Sequence, residues 1–276
     1  MTTPGALFVV STPIGNLGDM TVRGIETLRT VDLILAEDTR HSQTLVRHFE
    51  VETKLTSYHE HNEAEMTPRV IEALARGQRV ALISDAGTPL LSDPGQRLVQ
   101  AVIDAGFSVV PVPGASALLA ALVGAGLDTS AFTYLGFLPR KGGDRDRAIA
   151  AVSAHSHTSV LYEAPTRVVA TLQDLSEAGC GNRRAVVARE LTKQFEEFRR
   201  GTVDELAQYY REHAPRGEVV ILIEARTVVQ TSEPELRGIA RELRAKGYSS
   251  RAIATALQDE HGASRNQAYR LAHEGT

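Results

Sequence analysis

Two carboxylates, Asp85 and Asp93, stand in the run S-D-A-G-T-P-L-L-S-D-P-G over residues 84–95, directly after the apolar stretch V-A-L-I at 80–83. Gly87 and Gly95 admit backbone conformations closed to other residues. Pro89 and Pro94 fix φ and remove amide donors, so the loop's shape is set locally and its carboxylates stand as acceptors. At the carboxyl end of a buried strand, such a loop is where open α/β sheets hold ligands. Two more loops have the same placement. S-T-P-I-G-N-L-G-D at 11–19 has a G-x-x-G spacing that is neither G-x-G-x-x-G nor a Walker A loop, so phosphate cradling is not expected. It can present carbonyls and amides to a neutral or cationic ligand, or serve as a plain tight crossover. P-V-P-G-A-S-A at 111–117 leaves a strand and opens a helix, with Ser116 placed as N-cap. If the three strands are neighbours, the loops converge on one crevice.

Titratable groups gather at other strand ends. E-D-T-R-H at 37–41 follows an apolar run, and S-Y-H-E-H-N-E at 57–63 is dense in acids and histidines. His59 and His61 lack any recognised metal-ligand spacing, so no metal is expected. Asn62 and Glu63 equally suit the start of a helix, where acids face the positive end of the dipole. Y-E-A-P-T-R at 162–167 and R-E-L-T-K at 189–193 set charges beside further strand ends, where they need partners or a ligand.

The elements that must position these residues read as strands over 7–10, 33–35, 80–83, 109–112, 133–137, 159–162, 185–188 and 219–223. Helices are expected over 22–28, 62–75, 96–104, 117–123, 145–154, 166–177 and 203–212, with Gly77, Gly106 and Gly179 as C-terminal caps. This alternation implies largely parallel sheets with helical crossovers, and the Ala-rich stretch 115–127 divides them into two α/β domains. After residue 234 no β-branched run appears. Helical patterns over 235–245, 251–260 and from the S-R-N-Q box at 264–267 suggest a three-helix tail resembling a helix-turn-helix.

The 276 residues, 42% hydrophobic and 23% charged, describe an ordinary globular chain. A single cysteine, Cys180, excludes an internal disulfide framework and points to a reducing compartment. The first ten residues lack a basic n-region, and the apolar run 115–127 is too short and too interrupted to span a bilayer; a cytoplasmic protein is expected. A net charge of −4 argues against bulk electrostatic coating of nucleic acid, yet three segments lean positive. Residues 139–147 carry four basic side chains against two acids, 183–200 six against three, and 235–276 seven against five.

Taken together, 11–19, AEDTR at 36–40, YHEHN at 58–62, 84–95, PVPGAS at 111–116, GFLPR at 136–140, YEAP at 162–165 and RELTK at 189–193 closely resemble the tetrapyrrole methylase superfamily of S-adenosylmethionine-dependent methyltransferases. Within it the motifs resemble the branch that methylates a cytidine 2'-oxygen in 16S ribosomal RNA of the small subunit. The superfamily often has a G-D-P type motif where this chain reads D-A-G-T at 85–88. The resemblance implies two α/β domains with a cleft between them, over 1–117 (cofactor-binding) and 118–230 (closing the cleft), with the helical tail over 231–276, usually as a homodimer. It matches Pro13 and Gly15 to the first cofactor loop, Asp85, Gly87 and Thr88 to the second, Ser116 and Ala117 to the third, and Tyr162 to the rim from the second domain. A ribose hydroxyl needs a base as its oxygen attacks, and Asp38 and Glu63 are candidates, with Arg40 holding a phosphate or carboxylate; Asp38 and Arg40 could instead simply pair. With no Trp and 5% aromatic residues, selection by RNA shape and backbone is expected, through Arg140, Lys141, Arg145 and Arg147 and through the tail. A methyltransferase acting on a tetrapyrrole or other small molecule would leave the basic loop and tail without use. A non-catalytic RNA-binding factor would leave the three loops unexplained.

Overall fold

The computed structural model describes residues 5–226, 231–259 and 261–274, which divide into two compact units, one within Met1–Ser153 and His157–Glu224, the other within Ala154–Ser156 and Ala225–Thr276. The first unit holds two five-stranded sheets.

The first sheet comprises β1 (Ala6–Val10), β2 (Leu33–Ala36), β3 (Leu55–Ser57), β4 (Arg79–Ile83) and β5 (Ser108–Val112), all parallel, in the order β3-β2-β4-β1-β5. Helices α1 (Val22–Thr30), α2 (Thr39–His48), α3 (Glu63–Ala75) and α4 (Gln96–Asp104) make the crossovers. Covering both faces demands strands apolar on both, and Leu7, Val10, Ile34, Leu35, Val80, Ala81, Leu82 and Ile83 are all buried. They alternate between two cores, one including Val10, Ile34, Ala81 and Ile83, the other Leu7, Leu35, Val80 and Leu82. The expected alternation thus holds here, with β3 and α2 added to it.

α5 (Ala117–Ala125) leads to the second sheet: β6 (Phe132–Phe137), β7 (Thr158–Glu163), β8 (Arg184–Arg189), β9 (Glu197–Thr202) and β10 (Val219–Ile223), in the order β6-β7-β10-β8-β9. The expectation of largely parallel pairing fails for this sheet: β6 and β7 are parallel, whereas β10 runs antiparallel to β7 and β8, and β8 antiparallel to β9. The cause is β9, which folds back along β8 without a helical crossover, so the next crossover returns β10 in the opposite sense. α6 (Gly143–Ala154), α7 (Val168–Leu175) and α8 (Val203–Glu212) supply a core that includes Ile149, Leu172 and Leu206 with Leu161, Val187 and Ile221 of the sheet. α5 covers the opposite face, packing Leu118, Ala121 and Leu122 with Val160, Val186, Val220 and Leu222.

In the other unit, α9 (Glu233–Ala245), α10 (Ser250–Asp259) and α11 (Arg265–His273) share a core of Leu236, Ala240, Ile253, Leu257, Ala268 and Leu271. α9 starts two residues earlier than expected because Pro234 suits its first turn. Ser264 Oγ accepts from Gln267 N at 3.3 Å, the first half of the expected box. Glu260, the expected end of α10, lies outside the described residues.

Candidate active site

β4, β1 and β5 are adjacent, so the loops that leave them meet, as the sequence leads one to expect. They are also stitched together. Thr12 N donates to Gly87 O at 2.8 Å and Gly87 N to Thr12 O at 3.1 Å, a bridge that takes the first and second loops side by side. Thr88 Oγ1 donates to Ala115 O at 3.1 Å and lies 3.1 Å from Ser11 Oγ, which ties in the third. A Cβ on Gly114 would come within 3.0 Å of Ser11 Cβ, so only glycine permits this approach without a shift. The loop after β2 joins through Asp38 N, which donates to Asp85 Oδ1 at 3.1 Å.

The second sheet supplies the facing wall. Tyr162, on β7, accepts from Leu118 N at 3.0 Å in the first turn of α5, and Tyr134 Oη lies 2.7 Å from Ser92 Oγ. Three residues apart on a regular strand, Tyr134 and Phe137 would point to opposite faces. The register of β6 slips between Tyr134 and Gly136, where φ is +61°, and both rings meet Tyr162, with centroids at 5.0 and 5.8 Å. Lys193, beyond β8, pairs with Glu190 at 3.1 Å and Glu218 at 3.4 Å, and its stem lies over Gly15 of the first loop. Loops and wall enclose a cleft of about 580 Å³.

Acids dominate one side of this cleft. Burial pushes the Glu37 carboxyl up, reinforced by Asp93, Asp85 and Asp38. Asp93 is pushed up to about 6, by burial first and by Asp85, against a hydrogen bond from Ser84 that lowers it. Carboxylates crowded into a partly dry site repel one another and stabilise a cation placed among them. The faces of Tyr162 and Phe137 offer an aromatic rim for a flat ring.

Asp85, Gly87, Thr88, Ser116, Ala117 and Tyr162 all line the cleft. Pro13 and Gly15 instead line a smaller cavity of about 250 Å³ with His41, Ser42 and Asp85, while Ile14 between them faces the cleft. Asp38 caps α2: its Oδ1 accepts from Arg40 N at 2.8 Å and its Oδ2 pairs with Arg40 Nη2 at 2.9 Å. Hydrogen bonds from Arg40 hold its carboxyl down to about 2. Glu63 opens α3 and borders a second concavity of about 640 Å³. Arg140, Lys141 and Arg147 are exposed, the last paired with Asp144. Arg145 is not available to a phosphate as expected. It is 8% exposed, with Nη2 2.6 Å from Asp174 and further bonds to Thr171 and Pro139, because the first buried position of α6 falls on it. Among the described residues no group of three ligating side chains could hold a metal ion. Asp93, expected with Asp85 as an acceptor in this loop, lies in the cleft wall, and so do Glu37 and Lys193, to which the sequence assigned no individual role. Lys193 carried a signal, as the end of a strand-end motif.

Two α/β sheets closing a cleft over strand-end loops define a class of fold that solved structures share. Diphthine synthase matches with a TM-score of 0.65 at 16% identity, over 81% of this chain and 90% of that one. Uroporphyrin-III C-methyl transferase from Thermus thermophilus, complexed with S-adenyl homocysteine, matches with a TM-score of 0.59 at 18% identity, over 80% and 97%. At these identities the likeness is one of fold. Residues 6–207 match the Tetrapyrrole (Corrin/Porphyrin) Methylases, and the chain belongs to that family. It is 46% identical over 273 residues, 98% of each chain, to the ribosomal RNA small subunit methyltransferase I of Synechocystis sp.. It is 49% identical over 219 residues to the protein of the same name from Mesorhizobium japonicum, covering 79% of this chain and 74% of that one.

Proposed function

We propose that the chain transfers a methyl group from S-adenosylmethionine to small-subunit ribosomal RNA, onto the 2'-oxygen of a cytidine in 16S RNA. One observation carries this reading: the acid-walled cleft of about 580 Å³ where the loops after β4, β1 and β5 meet the aromatic rim. Its carboxylates fit a sulfonium, its rim fits an adenine, and the likeness to rRNA methyltransferases runs the length of the chain. Asp85, Gly87, Thr88, Ser116, Ala117 and Tyr162 hold the cofactor, with Pro13 and Gly15 backing the first loop. The cofactor supplies a methyl group activated by positive sulfur. The chain's own task is to fix the acceptor oxygen in line with that methyl, keep water out and receive the hydroxyl proton.

Of the residues expected to carry chemistry, Glu63 belongs to the acceptor side, while Asp38 and Arg40 fix the corner from which Glu37 projects. Arg140, Lys141 and Arg147 contact phosphates, the three-helix unit makes a second RNA contact, and the chain works in the cytoplasm as a homodimer. In this division residues 1–117 bind the cofactor and 118–230 close over it. The test is methyl transfer from labelled cofactor to assembled small subunits lacking the modification, with the product mapped by its resistance to alkaline cleavage at one cytidine. Label in the 16S RNA is expected; label only in a tetrapyrrole acceptor offered in parallel would overturn the reading.

A further inference from the structure

The cavity of about 250 Å³ between the first loop and α2 is separate from the cofactor cleft yet touches it. Asp85 lines both, and Ile14, set between the cavity's Pro13 and Gly15, faces the cleft. Thr12, Ser42 and Ser84 give the cavity a buried polar floor, Pro13, Leu17 and Leu45 give it apolar sides, and His41 and Thr44 stand exposed at its rim. Two of the floor hydroxyls are satisfied within the protein: Thr12 Oγ1 donates to Ser84 O at 3.2 Å and Ser84 Oγ to Gly87 O at 3.4 Å. Ser42 Oγ, in a residue 3% exposed, has no partner among the described residues. A hydroxyl taken out of water without a partner destabilises the fold, a cost that a ligand bonded to it would offset. The other buried side-chain atoms in this state, His59 Nδ1, Thr192 Oγ1 and Tyr210 Oη, border neither this cavity, nor the cleft, nor the second concavity.

Resting on the methyl-transfer reading above, we propose that this cavity seats the base of the acceptor nucleotide, a pyrimidine turned out of its strand and bonded at its edge by Ser42, and that α2 carries the adjoining phosphates. Unstacked RNA bases are held between apolar or aromatic side chains and read by hydrogen bonds to their edges, which is what Pro13, Leu17, Leu45 and Ser42 offer. At about 30 Å³ per water molecule, a cavity of about 250 Å³ has room for roughly eight waters, the scale of a single flat ring with its substituents. A ring seated there leaves its sugar at the Asp85 boundary, next to the cofactor cleft.

The second concavity, of about 640 Å³, suits a base less well. Glu37, Glu60, Glu63 and Asp93 line it against a single cation, Arg97, and would repel the phosphates that travel with a base. None of its lining side chains holds a buried polar atom without a partner. The charge on α2 has the opposite sign: residues 39–48 include Arg40, His41, Arg47 and His48 and no acid. Asp38 takes Arg40, whereas Arg47 is exposed, and both border a concavity of about 490 Å³. Thr44 borders that concavity and the base cavity alike, so a strand whose base enters beside Thr44 passes Arg47 next.

The test uses the full-length protein, S-adenosylmethionine and small subunits reassembled with 16S RNA that carries either the target cytidine or, at the same position, an abasic ribose keeping its 2'-hydroxyl. Wild-type protein should methylate the abasic subunit about tenfold less efficiently or worse. Ser42→Leu fills the cavity, so kcat/KM on the cytidine subunit should fall by roughly 30-fold or more while cofactor affinity by calorimetry stays within about threefold. On the abasic subunit the same variant should match wild type, a rescue that general damage to the fold would not give. Ser42→Ala, which removes only the hydroxyl, should raise KM by about three- to tenfold and melt no lower than wild type, and it decides the matter if the leucine variant does not fold. Arg47→Ala should raise KM for both subunits and flatten its dependence on salt. Equal use of the two subunits by wild type, abasic activity lost in proportion in Ser42→Leu, or an unchanged KM in Ser42→Ala overturns the seat for the base. An unchanged salt dependence in Arg47→Ala overturns the path of the strand along α2. A wild-type protein that binds cofactor but leaves the cytidine subunit unmethylated overturns the functional reading itself, a distinct result.

Discussion

The two aspartates near the cleft are tuned in opposite directions, and the difference is measurable. Asp93 binds its proton more tightly folded than unfolded, so the fold gains from it fully below pH 4 and loses that gain as pH rises through about 6. Two pKa units correspond to roughly 3 kcal/mol, which solvent screening at a partly exposed group reduces to about 1–2 kcal/mol. Asp93→Asn should therefore be more stable than wild type by about that amount in urea at pH 7.5 and no more stable at pH 3.5. Equal stabilities at both values would contradict the burial of this carboxyl. Asp38 behaves oppositely: its contribution is present above its unfolded pKa near 3.8 and is lost only as pH falls toward 2. Because asparagine also caps a helix, Asp38→Asn should keep α2, cofactor affinity and near-normal turnover. A collapse of turnover with cofactor binding intact would make Asp38 the proton acceptor.

Charge alone could not distinguish Arg145 from its neighbours in the sequence, because the basic run over 139–147 says nothing of where α6 begins to face inward. Arg145→Ala leaves Asp174 without its partner and takes a donor from Thr171, which keeps its bond to Glu163, and should destabilise the protein by roughly 2–3 kcal/mol, a buried-pair penalty softened by the exposure of Asp174. The double change Arg140→Ala with Lys141→Ala should leave urea unfolding within error and weaken RNA binding. Reversed outcomes would mean that the loop is structural and Arg145 the contact. The same blindness hid β9 and β3. Each lies at a sheet edge, half exposed, without the apolar run that marks β1 or β4, so neither shows the signal that buried strands do. The three strand-end loops were legible because glycine and proline fix their shape locally. The place of Lys193 over the first loop was not, since it depends on which wall faces which across the cleft.

At the scale of the whole molecule, α5 presents an unusual surface. It is apolar on all sides; one face packs on the second sheet, while Leu119 and Val123 remain 51% and 78% exposed. For the homodimer proposed above, these are the positions to test. Val123→Glu should shift the sedimentation equilibrium of the full chain toward monomer, and an unchanged distribution would place the interface elsewhere. Among the described residues no helix is long and apolar enough to cross a membrane, so such surfaces are not read as spans. The slipped register of β6 has a last consequence, for how the chain can change in length. Side chains on a strand obey an even–odd rule, and the extra residue before Gly136 is what brings Tyr134 and Phe137 to one side. Removing a single residue there would preserve the hydrogen-bonded ladder yet split the aromatic trio around Tyr162. Insertions and deletions in this stretch are therefore tolerated only in pairs, a parity that ties the spacing of one edge strand to the shape of a cleft it merely borders.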